Sequence, residues 1–407
     1  MPNADSSPGP IRVLHSIGSL NAGGIETWLM NLVRQNSPAV HFDFIVEVAD
    51  GVYEAEAVRL GCVIHHHPSR SRLRKRLEVV GLVPASQFLA RVLAAERYDV
   101  FHVHGEEFMG DAVRVAAASG VPVRVVHCHG TALARGKRNL EMSIRRRRFA
   151  TLDRARILRH ATDMVACSDD SGRFLLGGHW ERDPRCRPLY CGVPLGTIRA
   201  AATQWTREAF RTAHGIPVHA RVVGHAGSMG PTLVKNHGFL LDIFTELARR
   251  DPRAFLFLAG DGPLRSSIGE AVRARGLESR VAMPGVCRDV PALMVHGFDA
   301  HLLPSLREGL PVAGLEAVAA GLFTVCSDTI TRDFTGAFPD RVLAVPLAAC
   351  ASAWARRVEE AFERKIRADE GLALVGASPF SIEASLAAAT SLYMKRLHAT
   401  GLNAGPA

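Results

Sequence analysis

Two acids, Glu308 and Glu316, stand eight positions apart in the segment Pro304-Ser305-Leu306-Arg307-Glu308-Gly309-Leu310-Pro311-Val312-Ala313-Gly314-Leu315-Glu316. The apolar run 298–303 ends in a Pro-Ser turn and reads as a buried strand. Pro311 suits the first turn of the next helix, where its missing N–H is not needed, and Gly321 can close that helix. Glu308 then lies in the loop at the strand's carboxyl end, and Glu316 lies about 7.5 Å further along the helix axis than Pro311. The helix start between them offers free backbone N–H groups, which favour a phosphate. A carboxylate on each side of an anion site suits a ligand whose hydroxyls flank a phosphate, the layout of a sugar nucleotide. Taken alone, a loop acid and a helix acid at this spacing are equally an ordinary solvated pair.

Other segments carry the same kind of chemistry. Asn21-Ala22-Gly23-Gly24-Ile25-Glu26-Thr27 follows a strand and opens a helix, so a backbone can approach an anionic ligand there. No G-x-G-x-x-G is present, and a nicotinamide cofactor is not suggested. Gly260-Asp261-Gly262-Pro263 is a second strand-to-helix turn, in which Asp261 can cap the helix. Lys235-Asn236-His237 places a cation at a helix start, where the dipole disfavours it unless a ligand compensates. His102, His104, His127 and His129 fall at strand ends; His102 and His127 read as structural residues and His104 as a weaker acceptor-side candidate. His65, His66 and His67 alternate across a strand and cannot jointly hold a metal. The eight cysteines form no C-x-x-C pair and no Asp-x-Asp occurs, so neither a metal nor another cofactor is expected.

The segment 304–316 resembles the Glu-x7-Glu motif of retaining glycosyltransferases of family 4, which have the GT-B fold. The resemblance implies that Glu308 attends the donor sugar, Glu316 the ribose, and Lys235 with the Gly309-Leu310 backbone the diphosphate. Gly23 and Gly24 resemble the Gly-Gly-x-Glu-Thr entry of bacterial polysaccharide glycosyltransferases, beside the donor pyrophosphate and the acceptor. Lys235-Asn236-His237 resembles the family's Lys-Asn-His, and Gly260 belongs to its Gly-x-Gly-Pro turn. His129 matches a histidine contacting the donor sugar and the reacting centre, and the loop from Val286 to Arg288 falls where the family reads the base. One departure stands out. Ser228 occupies the position of a usual arginine, in the longer segment Gly227-Ser228-Met229-Gly230-Pro231-Thr232-Leu233-Val234. A cation on the diphosphate is missing there, and His225 or Arg307 is the available substitute.

The elements that must position these residues alternate between strand and helix. Strands are expected at 11–17, 42–48, 63–66, 100–103, 123–127 and 164–167, with helices at 26–34, 111–118 and 153–160. After Cys191-Gly192-Val193-Pro194 the pattern restarts, with strands at 221–225, 254–259, 281–283, 298–303 and 324–326 and helices at 235–249, 263–275 and 311–320. This is an α/β chain of two Rossmann-like domains, 11–195 on the acceptor side and 196–379 on the donor side. A disordered tail, 1–10, precedes them. The segment 380–407 follows, with a helix that in GT-B proteins crosses back to the first domain. Ligands of such sheets bind outside the carboxyl ends of the strands.

Composition sets the remaining bounds. At 407 residues, two domains are expected. No run of 18 apolar residues occurs and the N-terminus lacks signal-peptide regions, which fits a cytoplasmic protein. The net charge of +9 is concentrated in Arg70, Arg72, Arg74, Lys75 and Arg76 and in 135–160, where Arg145 to Arg148 are consecutive. No nucleic-acid-binding motif accompanies them. An anionic inner-membrane surface, contacted peripherally, and a plain solvated face both remain open. The expected activity is transfer of a hexose from a UDP- or GDP-linked donor to a saccharide or lipid-linked acceptor, with retention. An epimerase or hydrolase on the same scaffold, or a non-catalytic sugar-nucleotide binder, is the alternative.

Overall fold

The computed structural model describes residues 9–21, 23–67, 87–105, 109–131, 140–287 and 289–399, the side chains of 140–149 excepted. Most of the tail 1–10, the basic run at 70–76 and Arg288 therefore lie outside the described residues, as do the side chains of Arg145 to Arg148. The chain divides into two compact units, one formed by residues up to Cys191 together with those from Glu383 on, the other by Gly192–Ile382.

Among the described residues, the first unit is built on seven parallel strands: β1 (Ile11–Ile17), β2 (Val40–Val46), β3 (Ile64–His66), β4 (Val100–Gly105), β5 (Val123–Cys128), β6 (Asp163–Ala166) and β7 (Cys186–Pro188). Their order is β3-β2-β1-β4-β5-β6-β7, so the winding reverses between β1 and β4. Both faces of the central strands are buried, as a parallel sheet under helices requires. Phe101, Val126, Met164 and Leu176 belong to the core on one side. The helix Ile382–Ala399 completes this unit, where Arg396 Nε donates to the buried Asp163 at 2.8 Å and the Tyr393 hydroxyl lies 2.7 Å from His102 Nδ1.

The second unit carries six parallel strands: β8 (Arg221–Ala226), β9 (Ala254–Ala259), β10 (Val281–Gly285), β11 (Ala300–Leu303), β12 (Thr324–Ser327) and β13 (Val342–Val345). The order β10-β9-β8-β11-β12-β13 reverses between β8 and β11. All six residues of β9 are buried, and Leu240, Phe244, Leu256, Leu258 and Trp354 form the heart of its core. The helix after β11 runs Val312–Ala319 and ends in a Schellman motif. Leu322 N–H bonds Ala317 O and Gly321 N–H bonds Val318 O, with Gly321 at φ +83°.

Several expected boundaries move. Strand β2 begins two residues early and β11 begins at Ala300, because Phe298 and Asp299 finish the preceding turn. The helix expected from Lys235 starts at His237, since Asn236 is left-handed. The helix expected from Pro263 starts at Arg265. Pro311 is the residue before its helix rather than the first within it.

Candidate functional site

In the second unit the site forms where the winding reverses, at the carboxyl ends of β8 and β11, the place where open α/β sheets bind ligands. Beyond β8 the chain stays zipped to the loop after β9. Gly227 N–H donates to Ala259 O at 2.9 Å, Met229 N–H to Asp261 O at 2.9 Å, and Leu264 N–H to Met229 O at 3.0 Å. This close approach explains the Gly-Asp-Gly turn. A Cβ on Gly260, at φ +143°, would sit 2.0 Å from Gly227 O, and one on Gly262, at φ +151°, would sit 2.5 Å from Met229 O. Gly260 is thus needed by the backbone itself. Asp261 is not a helix cap: its carboxylate accepts from Gly262 N–H at 2.7 Å and faces Arg265 at 3.4 Å.

Ser228 is exposed at the outer rim of this loop. Further on, Leu233 and Asn236 both hold positive φ, +57° and +55°, a conformation that costs a non-glycine residue about 1 kcal/mol or more. The strain is held by the β11 loop. Leu306 N–H donates to Val234 O at 2.8 Å and Asn236 Nδ2 donates to Pro304 O at 3.1 Å. Asn236 therefore ties two loops together, and the helix that it precedes starts without a side-chain cap.

Lys235 sits between the two strained residues. Its ammonium donates to Glu308 Oε1 at 2.7 Å, and the Ser305 hydroxyl donates to the same oxygen at 2.8 Å. The side chains are 21% and 12% exposed, so the pair is partly withdrawn from water yet reachable. Ser305 is in turn fixed by Thr329, whose hydroxyl bonds Ser305 O at 3.1 Å. Sequence reasoning gave Lys235 and Glu308 separate partners and missed Ser305; the Pro-Ser turn was its only signal. A Cβ on Gly227 would touch Lys235 and the His225 ring at 3.1 Å, so this glycine leaves the space beside the lysine open.

His225 cannot supply the missing cation. Burial pushes its pKa well below the ordinary histidine value, and its Nδ1–H is spent on Leu302 O at 2.9 Å. Arg307, partly exposed, has no ion-pair partner among the described residues. Gly309 is partly accessible and Leu310 buried just before the helix Val312–Ala319, which also starts without a side-chain cap. Glu316 lies within that helix, and its carboxyl has no hydrogen-bond or ion-pair partner among the described residues. Burial alone raises its pKa to about 7. Val286, after β10, is 71% exposed, an apolar side chain left bare at a strand's carboxyl end.

The first unit places a different set of groups at its own reversal. Gly23 precedes the helix Gly24–Arg34, and the carboxylate of Glu26 folds back over it; a Cβ on Gly23 would lie 2.2 Å from Glu26 Oε2. The helix start beside Gly23 and Gly24 thus already faces a carboxylate from its third residue, while Gly23 N–H itself donates to Asn21 O at 2.9 Å. Beside it, His15 of β1, His102 and His104 of β4, and His127 with His129 at the end of β5 share one sheet face. The register pairs His15 with His102 and His104 with His127. Trp28 lies edge-on to His127 at 5.3 Å. His104, expected toward the acceptor, is buried with both ring nitrogens occupied, by His15 at 2.8 Å and His129 at 3.0 Å. His102 and His127 are only half satisfied, because His102 Nε2 and His127 Nδ1 are buried without partners. His129 is the partly accessible member.

Ring nitrogens of His15, His102 and His104, and of His104, His127 and His129, come within 4.8 Å of one another, near enough to be considered for a metal. The rings stack rather than converge, with centroids 4.3 Å apart for His102 and His104, and hydrogen bonds between rings use the nitrogens that a metal would need. His65, His66 and His67 go to separate neighbours, His65 to Tyr98 and His66 to Glu54. No described helix is long and apolar enough to cross a membrane.

Comparison with known proteins follows the same division. Residues 23–192 match the glycosyl transferase 4-like domain and residues 220–388 match the glycosyl transferases group 1. EpsF of Bacillus subtilis, itself a candidate glycosyltransferase, is 35% identical over 331 residues, covering 79% of this chain and 80% of that protein. The 2-deoxystreptamine N-acetyl-D-glucosaminyltransferase of Streptomyces fradiae is 29% identical over 61% of each chain. Among solved structures, a glycosyltransferase of Rickettsia africae superposes with a TM-score of 0.75 at 14% identity, covering 95% of this chain and 99% of the other. HepE of Anabaena, solved with UDP, gives 0.71 at 18% identity, over 94% and 98%. With the charged pair at one sheet reversal, the histidine face at the other and these likenesses over both halves, the chain belongs to the family 4-type glycosyltransferases of the GT-B fold.

Proposed function

We propose that this protein transfers a hexose from a UDP- or GDP-linked donor to a hydroxyl of a saccharide or lipid-linked acceptor in polysaccharide synthesis, with retention at the anomeric carbon. The observation that carries this reading is the Lys235–Glu308 pair, 2.7 Å apart at the carboxyl ends of β8 and β11, beside two helix starts that lack side-chain caps. Donor phosphates satisfy both features, by charge on the lysine and by backbone N–H groups. Binding would draw Lys235 toward the diphosphate and free Glu308 for a sugar hydroxyl. Gly309 and Leu310 supply backbone, Glu316 takes the ribose hydroxyls, and Val286 gives the base an apolar surface. In the first unit, His129 is the substrate contact, and Gly23 and Gly24 are the backbone approach for the donor pyrophosphate and the acceptor. Arg307 replaces the cation absent at Ser228.

In the retaining reaction the bond from the anomeric carbon to the diphosphate oxygen breaks as the acceptor oxygen bonds the same face. The acceptor proton passes to the departing phosphate. Solved relatives of this fold hold UDP and UDP-glucose in HepE of Anabaena, which supports a nucleotide-sugar donor. Incubation with a panel of labelled nucleotide sugars, with and without lipid-linked saccharide acceptors, tests the reading: product should require both. Donor binding without turnover on any acceptor would instead favour the non-catalytic binder that the exposed Ser228 motivates. Attachment to an anionic membrane surface is tested by co-sedimentation with anionic and neutral vesicles, before and after changing Arg145 to Arg148 to serine. Equal pelleting of the two proteins would remove that part of the proposal.

A further inference from the structure

The histidines of the first unit form a continuous chain. His15 Nδ1 lies 2.8 Å from His104 Nε2, His104 Nδ1 lies 3.0 Å from His129 Nε2, and His129 Nδ1 lies 3.5 Å from Cys191 Sγ. Burial holds these imidazoles neutral, His15 and His129 near pKa 3 and His104 well below its ordinary value. A neutral imidazole has one N–H and one bare nitrogen. His104 uses both nitrogens, so it must donate to one neighbour and accept from the other. The tautomers of the three rings are therefore locked together, and only two orders exist.

In one order each ring donates outward: His15 Nδ1–H to His104, His104 Nδ1–H to His129, and His129 Nδ1–H toward Cys191. In the other every proton points inward, and His15 must carry its proton on Nε2. That nitrogen is buried with no partner. The outward order leaves a lone pair there, whereas the inward order leaves an orphaned N–H, the rarer and costlier defect. At the far end the thiol sulfur is a weak acceptor at a long distance, so the outward N–H of His129 is readily surrendered to a better one.

We infer that His15 and His104 are positioning residues that fix His129 as a hydrogen-bond donor, with its proton on Nδ1, so that it contacts an oxygen of the substrate and does not serve as a base. This rests on the reading of His129 as a substrate contact. It also sharpens it, because the acceptor's proton must then leave by another route.

The test has two arms. Nitrogen-15 spectra of the full chain labelled in histidine report each ring's tautomer. His127 serves as an internal standard, since its Nε2 faces the Leu189 carbonyl at 3.1 Å and must carry the proton. Expected in the wild type is Nδ1–H for His15, His104 and His129. His15→Asp, whose carboxylate only accepts, should draw the His104 proton to Nε2, reverse the order and move the His129 proton to Nε2, whereas His15→Asn, which retains a donor at the Nδ1 position, should keep it. In turnover, His15→Asp should lower kcat on the order of tenfold with KM unchanged, the size of loss typical when the outer partner that orients an imidazole is altered, and His15→Asn should retain most of it. Nε2–H on His129 in the wild type, which needs no variant, overturns the inference. So does a His129 tautomer unmoved in a folded His15→Asp protein, or a stoichiometric divalent metal on these rings. His129→Ala with unchanged turnover would instead remove the functional reading, leaving the order of the chain to the spectra.

Discussion

The two units solve the same geometric problem with opposite chemistry. Each winds a parallel sheet that reverses direction once, and each collects functional groups at that reversal. The second unit fills it with charge: Lys235 against Glu308, with Glu316 nearby carrying a carboxyl raised to about 7. The first fills it with neutral rings, five histidines whose burial keeps them uncharged, three of them, His15, His104 and His129, hydrogen-bonded ring to ring. A charged pair stores attraction that a diphosphate can exchange for its own. Neutral rings hold direction: they orient a donor without adding net charge. The topology supplies the place, and the residue types decide whether that place binds by charge or by orientation.

The comparison breaks most decisively at Glu308. Glu308→Gln keeps the shape but releases Lys235 from its counter-charge. Turnover should fall on the order of a hundredfold or more, while nucleoside diphosphate binding is kept or tightened. Steady-state kinetics with calorimetric titration read both, and weaker diphosphate binding would mean that the lysine does not face the phosphates. His129→Phe probes the other unit. Losing one hydrogen bond to the substrate should cost about ten- to a hundredfold in kcat, with nucleoside diphosphate affinity untouched. A matching drop in affinity would erase the division of labour between charge and orientation. Salt should separate them too, because screening weakens the charged site and leaves the neutral one unaffected.

Glu316 gives the comparison a pH signature. Its carboxyl titrates near 7, and hydroxyls of a bound ribose favour the ionised form. Nucleoside binding should therefore release a proton below pH 7, and affinity should rise several-fold between about pH 6 and 8. The slope should vanish in Glu316→Gln. The same shift sets a stability trend in the free protein. The folded-state pKa lies above the unfolded value, so this group's contribution is greatest below about pH 4.5 and declines as pH rises toward 7. A flat affinity profile in the wild type would detach Glu316 from the ribose. The smallest effect is expected at Ser228, which is exposed on the rim. Ser228→Arg should tighten nucleoside diphosphate binding a few-fold at low salt. No change by calorimetry would show that Arg307 already supplies that cation, or that the 227–234 loop points elsewhere.

Much of this molecule was legible in its sequence for a simple reason. Alternating short apolar runs and amphipathic stretches admit few arrangements other than wound parallel sheets. Strands such as Ile11–Ile17 and Ala254–Ala259 fell where the pattern put them, and Glu308, Lys235 and Glu316 stood out by type and spacing. What the pattern could not carry was which groups touch. Lys235 and Glu308 are 73 residues apart and meet only because β8 and β11 are neighbours. Gly260 looked like a ligand turn, yet its glycine answers to a carbonyl of another loop. His225 looked like a spare cation, but a neutral state follows from burial, which no local sequence reveals.

The sequence by itself determined the two wound sheets, the polar residues at their carboxyl edges and the types of chemistry those residues can perform, because periodicity and side-chain type are local properties. Only the tertiary structure decided that Lys235 and Glu308 neutralise each other, that Glu26 covers its own helix start and that His15 is joined to His129 through His104. Those are relations between strands distant in the chain. Their energies depend on distance and burial, which exist only once the sheet has closed.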